Sequence, residues 1–279
     1  MSDIPPPPLF LGYSMNHVWM VHLTSTVMSG DVVRPRGRGT REVLHRTVRV
    51  DMRRSVLSLP ARKLSYRYMA AEAYWILTGD NTVAGIAPYN THIATFSDDG
   101  QTFFGAYGPP ITAQLPYVLQ TLRNDRDSRQ AGLTIWQPCP PPTKDVPCTV
   151  AMFFQIRGTH LFMSVYMRSS DVWLGLPYDV FAFSMVGHLV CAEYNAMVDQ
   201  DCARITPGAL ALTAASSHVY DDNGDDIRRT VQIGCDAPSV ESPATLFASP
   251  TALLCTLDEL RRSTSGDPCR WWEKGRNHA

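Results

Sequence analysis

The segment VFAFSMVGHLVCAEYNAM, residues 180–197, is apolar on nearly every side. A helix with one apolar stripe can lie on a surface, but a helix of this kind must be surrounded. Any fold for this chain therefore has to wrap other elements around a central helix. Just ahead of it, residues 148–168, CTVAMFFQIRGTHLFMSVYMR, hold two strand-like runs around Arg157-Gly158-Thr159, which predicts a β-hairpin. With 279 residues, 44% of them hydrophobic, the chain can bury a large core, and a single α+β domain is expected.

The rest of the chain supplies the wrapping. Residues 16–30 predict a helix stopped by Gly30, residues 42–52 a strand, and residues 65–77 a mostly buried helix closed by Gly79-Asp80. Between the first two lies an arginine- and glycine-rich loop, RPRGRGTR, residues 34–41. Residues 81–110 read as irregular, 111–130 as an amphipathic helix and 131–136 as a short strand. The last quarter reads as short strands and turns. Pro5 to Pro8 are stiff and extended, so residues 1–15 are expected to be a flexible leader and 16–279 one catalytic domain.

Lys and Arg total 25 against 26 Asp and Glu, so no overall basic field exists to hold a nucleic-acid backbone. Any bound phosphate has to be met by a few local arginines. The start lacks a basic region followed by an apolar one, and no apolar run reaches about 18 residues. The chain is therefore expected in the cytoplasm, without a membrane partner. Its seven cysteines are scattered and form no C-x-x-C pair, which argues against a disulfide framework and a thiolate metal site.

Several residues invite a chemical reading. Cys148, in DVPCTV, sits between a proline turn and a strand start; nearby arginines would lower the pKa of such a thiol and make it a nucleophile. A lone cysteine is otherwise a small core residue, so its neighbours decide. Glu72, flanked by alanines and aromatics, is expected to have a raised pKa if it is buried, and to be an ordinary surface charge if its helix turns it out. Arg36, Arg38, Arg41, Arg129 and Arg168 stand in loop or strand-end settings where a guanidinium can fork onto phosphate oxygens. His218 and Tyr220, two apart, share one face of a strand.

Taken in order, E-x-x-W-x-L-x-G-D (Glu72 to Asp80), Tyr107-Gly108, N-D-x-D-S-R (Asn124 to Arg129), Pro147-Cys148, R-S-x-D-x-x-L-G-L-P (Arg168 to Pro177) and H-x-Y (His218 to Tyr220) resemble the thymidylate synthase superfamily over about residues 16–223. The resemblance implies a large mixed sheet packed with helices, and a homodimer formed through a sheet face. It implies that Cys148 adds to carbon 6 of a pyrimidine, that Glu72 manages protons through water, and that Tyr107 lies near the reacting carbon. Arg168, Ser169 and Arg129 would hold the phosphate, with Arg129 reaching across the dimer; His218 and Tyr220 would hold the sugar. Asp171, Leu174, Gly175 and Tyr178 would meet the pterin of the co-substrate 5,10-methylenetetrahydrofolate, and Phe96 is the closest aromatic to the folate-facing tryptophans of synthases. The early arginine loop aligns through either Arg36 or Arg38, with Arg36 preferred. No metal is implied.

Asp179 departs from the synthase pattern, which has asparagine there. An amide suits the imide edge of uracil, whereas a carboxyl accepts from the amino group of cytosine and places a proton on ring nitrogen 3. With Thr149 where synthases usually show histidine, this resembles the hydroxymethylase branch, in which water rather than hydride completes the reaction and a cytosine nucleotide, CMP or dCMP, is the substrate. The Ala-, Arg-, Pro- and Gly-rich composition favours CMP, and with it nucleoside-antibiotic synthesis over modified DNA precursors. Gln130 stands where synthases have a second arginine, and the polar ending KGRNHA lacks their apolar tail. Methylation of dUMP, a non-catalytic nucleotide- or RNA-binding protein, and a cysteine hydrolase using His160 or His188 are the alternatives.

Overall fold

A computed structural model describes residues 11–198, 204–234, 237–242, 248–263 and 267. In chain order the elements are α1 (Met15–Ser29), β1 (Asp31–Val33), β2 (Thr40–Asp51), α2 (Tyr66–Leu77), α3 (Val83–Ile86), α4 (Gly108–Asn124), β3 (Gly132–Thr134), β4 (Thr149–Arg157), β5 (His160–Asp171), α5 (Leu176–Ala196), β6 (Thr206–Tyr220), α6 (Gly224–Ile233) and α7 (Pro250–Arg262). The fold is α+β, a mixed six-stranded sheet covered by helices.

Helix α5 is the predicted centre: every residue from Val180 to Ala192 is buried. The strand order is β1-β2-β6-β5-β4-β3, and only β5 and β6 run parallel. Parallel neighbours need a crossover, and α5 is that crossover, which explains why it lies against the sheet's inner face. The predicted hairpin joins β4 to β5 with Arg157 opposite His160, and Gly158 adopts the φ of 57° that so tight a turn requires. Because β4 and β2 are antiparallel to β5 and β6, the starts of β4 and β2 fall beside the ends of β5 and β6. Thr149 faces Met167, and Thr40 faces Tyr220. Four separate stretches of chain thus meet at one edge.

Some expectations are corrected. The last quarter is not short strands and turns; it holds the 15-residue β6 and two helices. Strand β6 is rich in Ala and Ser, weak strand formers, and is held by pairing on both sides with β2 and β5. Helix α7 has its signals in plain view: Ser249 caps Ala252, Pro250 opens the helix, and Leu253, Leu257 and Leu260 form its buried stripe. The chain is already anchored before residue 16, since Tyr13 bridges Val50 and Met15 is fully buried; residues 1–10 and the ending 274–279 lie outside the described residues. Helix α4 stops at Asn124, and the stretch 81–110 includes α3. No described helix is long and apolar enough to cross a membrane.

Candidate active site

Cys148 immediately precedes β4, half-buried, with its carbonyl accepting from the Arg168 backbone N–H at 2.8 Å. The Arg168 side chain turns back onto the same loop: Nε donates to the Pro147 carbonyl at 3.0 Å and Nη2 to that of Val146 at 2.8 Å. Two of its five N–H groups therefore hold the cysteine in place, leaving the others for an anion. Contrary to the sequence expectation, burial pushes the Cys148 thiol pKa up. The Arg168 and Arg36 guanidiniums oppose this, while the Asp179 and Asp145 carboxyls add to it. Desolvation outweighs the arginines because their heads stay partly in water.

Three acidic groups from different elements are linked electrostatically to one another, two of them directly to the thiol. Glu72, on α2, has its carboxyl pKa raised to about 7 by burial, against a 2.6 Å hydrogen bond from Tyr68 one helical turn earlier. Asp179 lies in the first turn of α5, which begins at Leu176, earlier than the sequence suggested. Burial, then the Glu72 and Asp171 carboxyls, raise its pKa well above the usual carboxylate range, and no hydrogen bond offsets them. Tyr107, at the N-terminus of α4 and stacked on Phe183 with ring centroids 6.0 Å apart, has its phenol pKa raised by burial, by Asp179 and by Cys148. Cys148, Glu72, Tyr107 and Asp179 thus form one electrostatic cluster.

Beside it, Asp171 and His218 are neighbours across the parallel β5–β6 ladder. Asp171 Oδ1 accepts from the Trp173 and Leu174 N–H groups at 2.9 and 2.8 Å, so this carboxyl shapes the turn into α5. Burial raises the Asp171 pKa and lowers that of His218, each drawn back by the other's charge. His218 packs edge-on against Tyr220, 5.0 Å between centroids, as the shared strand face predicts. Ser169 pairs with Ser216 in the same ladder. Gly175 precedes α5, Leu174 is 45% exposed, and the Tyr178 hydroxyl accepts from the Ser65 N–H at 3.1 Å.

The arginine loop separates its candidates. Arg38 is committed, bonded to Asp222 at 2.9 Å and stacked 3.7 Å above the Tyr220 ring. Arg36 takes a left-handed φ of 52°, unusual outside glycine, and stays exposed within electrostatic reach of Cys148. Two expected residues are not brought in: Arg129 is exposed in the turn after α4, and Phe96, 46% exposed, packs edge-on against His92. His188 is a buried structural group, its ring bonded to Ser184 and Ser242, with a pKa lowered to about 4 by burial. Sequence reading missed Tyr68, although its i,i+4 spacing from Glu72 was visible. It also missed Arg62, whose two bonds to the Trp173 carbonyl, at 2.9 and 2.7 Å, pin the turn before α5.

The chain resembles known proteins along most of its length. A deoxyuridylate hydroxymethyltransferase of Bacillus phage SP01 is 28% identical over 284 residues, covering 91% of this chain and 71% of that protein. The sequence pattern described as thymidylate synthase matches residues 20–243, a span that includes every member of the cluster and most of the fold. The chain belongs to the thymidylate synthase family.

Proposed function

We propose that this protein is a 5-hydroxymethylase of a pyrimidine nucleoside monophosphate, that its preferred base is cytosine, as CMP or dCMP, and that 5,10-methylenetetrahydrofolate is the one-carbon donor. The observation that carries the base assignment is Asp179, a half-buried carboxyl within electrostatic reach of the nucleophile, with a strongly raised pKa and no side-chain hydrogen bond among the described residues. As a neutral acid it donates to ring nitrogen 3 of cytosine and accepts from the amino group. When the Cys148 sulfur bonds to carbon 6, negative charge grows on the ring and the Asp179 proton moves to nitrogen 3. The result is a carboxylate paired with a protonated cytosine edge, a contact stronger in the transition state than before it. Uracil already carries a proton on that nitrogen, so the same transfer has no destination there.

Glu72, with a pKa of about 7, is set to accept the proton leaving carbon 5 at neutral pH. Arg36 and the free donors of Arg168 suit the phosphate, and His218 and Tyr220 the sugar. Exposed Leu174 and the Tyr178 ring offer the apolar surface a pterin requires. We assign Arg129 to the phosphate of the partner subunit's site. Its support is the outward sheet face, where Phe153 and Tyr166 pack edge-on at 6.3 Å and are 38% and 47% exposed, a surface suited to a second copy of the chain.

A uracil nucleotide is the second reading, favoured by the name of the phage relative and by the ability of a neutral carboxyl to pair with either base. The deciding experiment incubates the protein with methylenetetrahydrofolate and CMP, dCMP, UMP or dUMP and weighs the products by mass spectrometry. A hydroxymethylated cytosine nucleotide is expected, with Asp179→Asn shifting the cytosine-to-uracil ratio of kcat/KM toward uracil by about tenfold or more. Faster turnover of dUMP, or a ratio untouched by the substitution, would falsify the selector role.

A further inference from the structure

Thr149 follows the nucleophile directly and is fully buried, yet its Oγ1 has no hydrogen-bond partner among the described residues. Its direction is set by a β-bulge. On β4, Thr149 faces Met167 while Ala151 faces Tyr166, so two steps along β4 answer to one along β5. By simple alternation Thr149 would share the outward side with Phe153, which is exposed. The inserted step turns it inward instead, to the side of buried Met167. The chain thus departs from regular pairing at the residue after its nucleophile, and the consequence is a hydroxyl without a partner in the interior. The Tyr107 hydroxyl lies close to it without meeting hydrogen-bond geometry and is within electrostatic reach of Cys148 and Asp179.

A buried hydroxyl without a partner, with a second hydroxyl close by, is the setting in which a water molecule completes both. We propose that Thr149, with Tyr107, holds the water that attacks the one-carbon unit after its transfer to carbon 5, making Thr149 the positioning residue that commits the site to hydroxymethylation. This rests on the hydroxymethylase reading above. The step balances without an oxidant or reductant. The water oxygen bonds to the exocyclic methylene carbon, and the methylene π pair moves into the ring. The carbon 5–carbon 6 double bond then re-forms as the Cys148 thiolate leaves, and the surplus water proton passes to the Glu72 carboxylate, which has by then given the carbon 5 proton to the nitrogen of the departing tetrahydrofolate. Thr149 Oγ1 accepts a hydrogen bond from one water O–H, which turns an oxygen lone pair toward the methylene carbon.

The test is a competition at that carbon. The full-length protein is incubated with methylenetetrahydrofolate, the nucleotide it hydroxymethylates and 2-mercaptoethanol, whose thiol captures the same methylene group as a thioether. In Thr149→Val, of the same shape but without the hydroxyl, the thioether-to-hydroxymethyl product ratio should rise by about tenfold, the equivalent of one lost hydrogen bond to water. Thr149→Ser should bring it back near the wild-type value, which a purely structural role for the methyl group does not predict. Should the valine variant fail to fold, Tyr107→Phe reads the same ratio and should raise it. An unchanged ratio in the valine and phenylalanine variants overturns the water site while leaving hydroxymethylation intact. A wild-type enzyme that yields only methylated nucleotide, or none, overturns the reading beneath it as well.

Discussion

Cys148 shows how burial and charge compete at one atom. Two arginines favour its thiolate, but desolvation and the Asp179 carboxyl prevail, so the resting thiol is held protonated. Cys148→Ala is expected to lower kcat at least about a thousandfold while nucleotide binding, followed by calorimetry, stays measurable. Glu72 carries its own signature in stability. Its carboxyl pKa rises from an ordinary 4.5 to about 7 on folding, so the folded state binds the proton more tightly than the unfolded chain does. That contribution is fully present below pH 4.5 and is lost as pH rises through 7. Relative to Glu72→Gln, the wild-type protein should lose about 3 kcal/mol of unfolding free energy across this window, measured by denaturant titration at each pH. Equal pH dependence in the two proteins would place Glu72 in water.

At the level of elements, the site depends on how helices begin. Asp179 occupies the first turn of α5, where the helix dipole favours a negative charge by about 0.3–1 kcal/mol. Its pKa is nonetheless raised, because losing water and facing Glu72 and Asp171 cost a carboxylate several kcal/mol. Helix α2 begins at Ser65, whose side chain accepts from the Tyr68 N–H at 3.3 Å; Tyr68 in turn holds Glu72. Ser65→Ala should destabilise the protein by about 1 kcal/mol in urea unfolding, and a change below about 0.3 kcal/mol would mean that the cap is dispensable.

Across the whole molecule, Arg129 stands exposed in the turn after α4, and the Phe153–Tyr166 pair is exposed on the outward face of the sheet, the two features on which the proposed subunit sharing rests. A site shared between two subunits makes a mixing prediction. Cys148→Ala and Arg129→Ala proteins, each inactive alone, should recover about a quarter of wild-type activity after co-refolding, because half the dimers are mixed and each mixed dimer has one intact site. No recovery would place Arg129 outside the partner's site.

The sequence alone determined the family, the fold class and the central elements. The all-round apolar helix, the hairpin signal at Gly158 and the ordered motifs around Cys148, Glu72 and Arg168 are local patterns, readable because periodicity and turn chemistry act over a few residues. Helix α7 was readable in the same way and went unread. What only the tertiary structure decided depends on groups distant in the chain. It decided the direction of the Cys148 pKa, the commitment of Arg38 to Asp222 and Tyr220, and the use of Arg168 donors on loop carbonyls. It also held the weakly strand-forming β6 between two partners and turned Thr149 inward through a bulge. Each of these is set by which surfaces lose water together, and desolvation depends on the assembled fold rather than on any one stretch of residues.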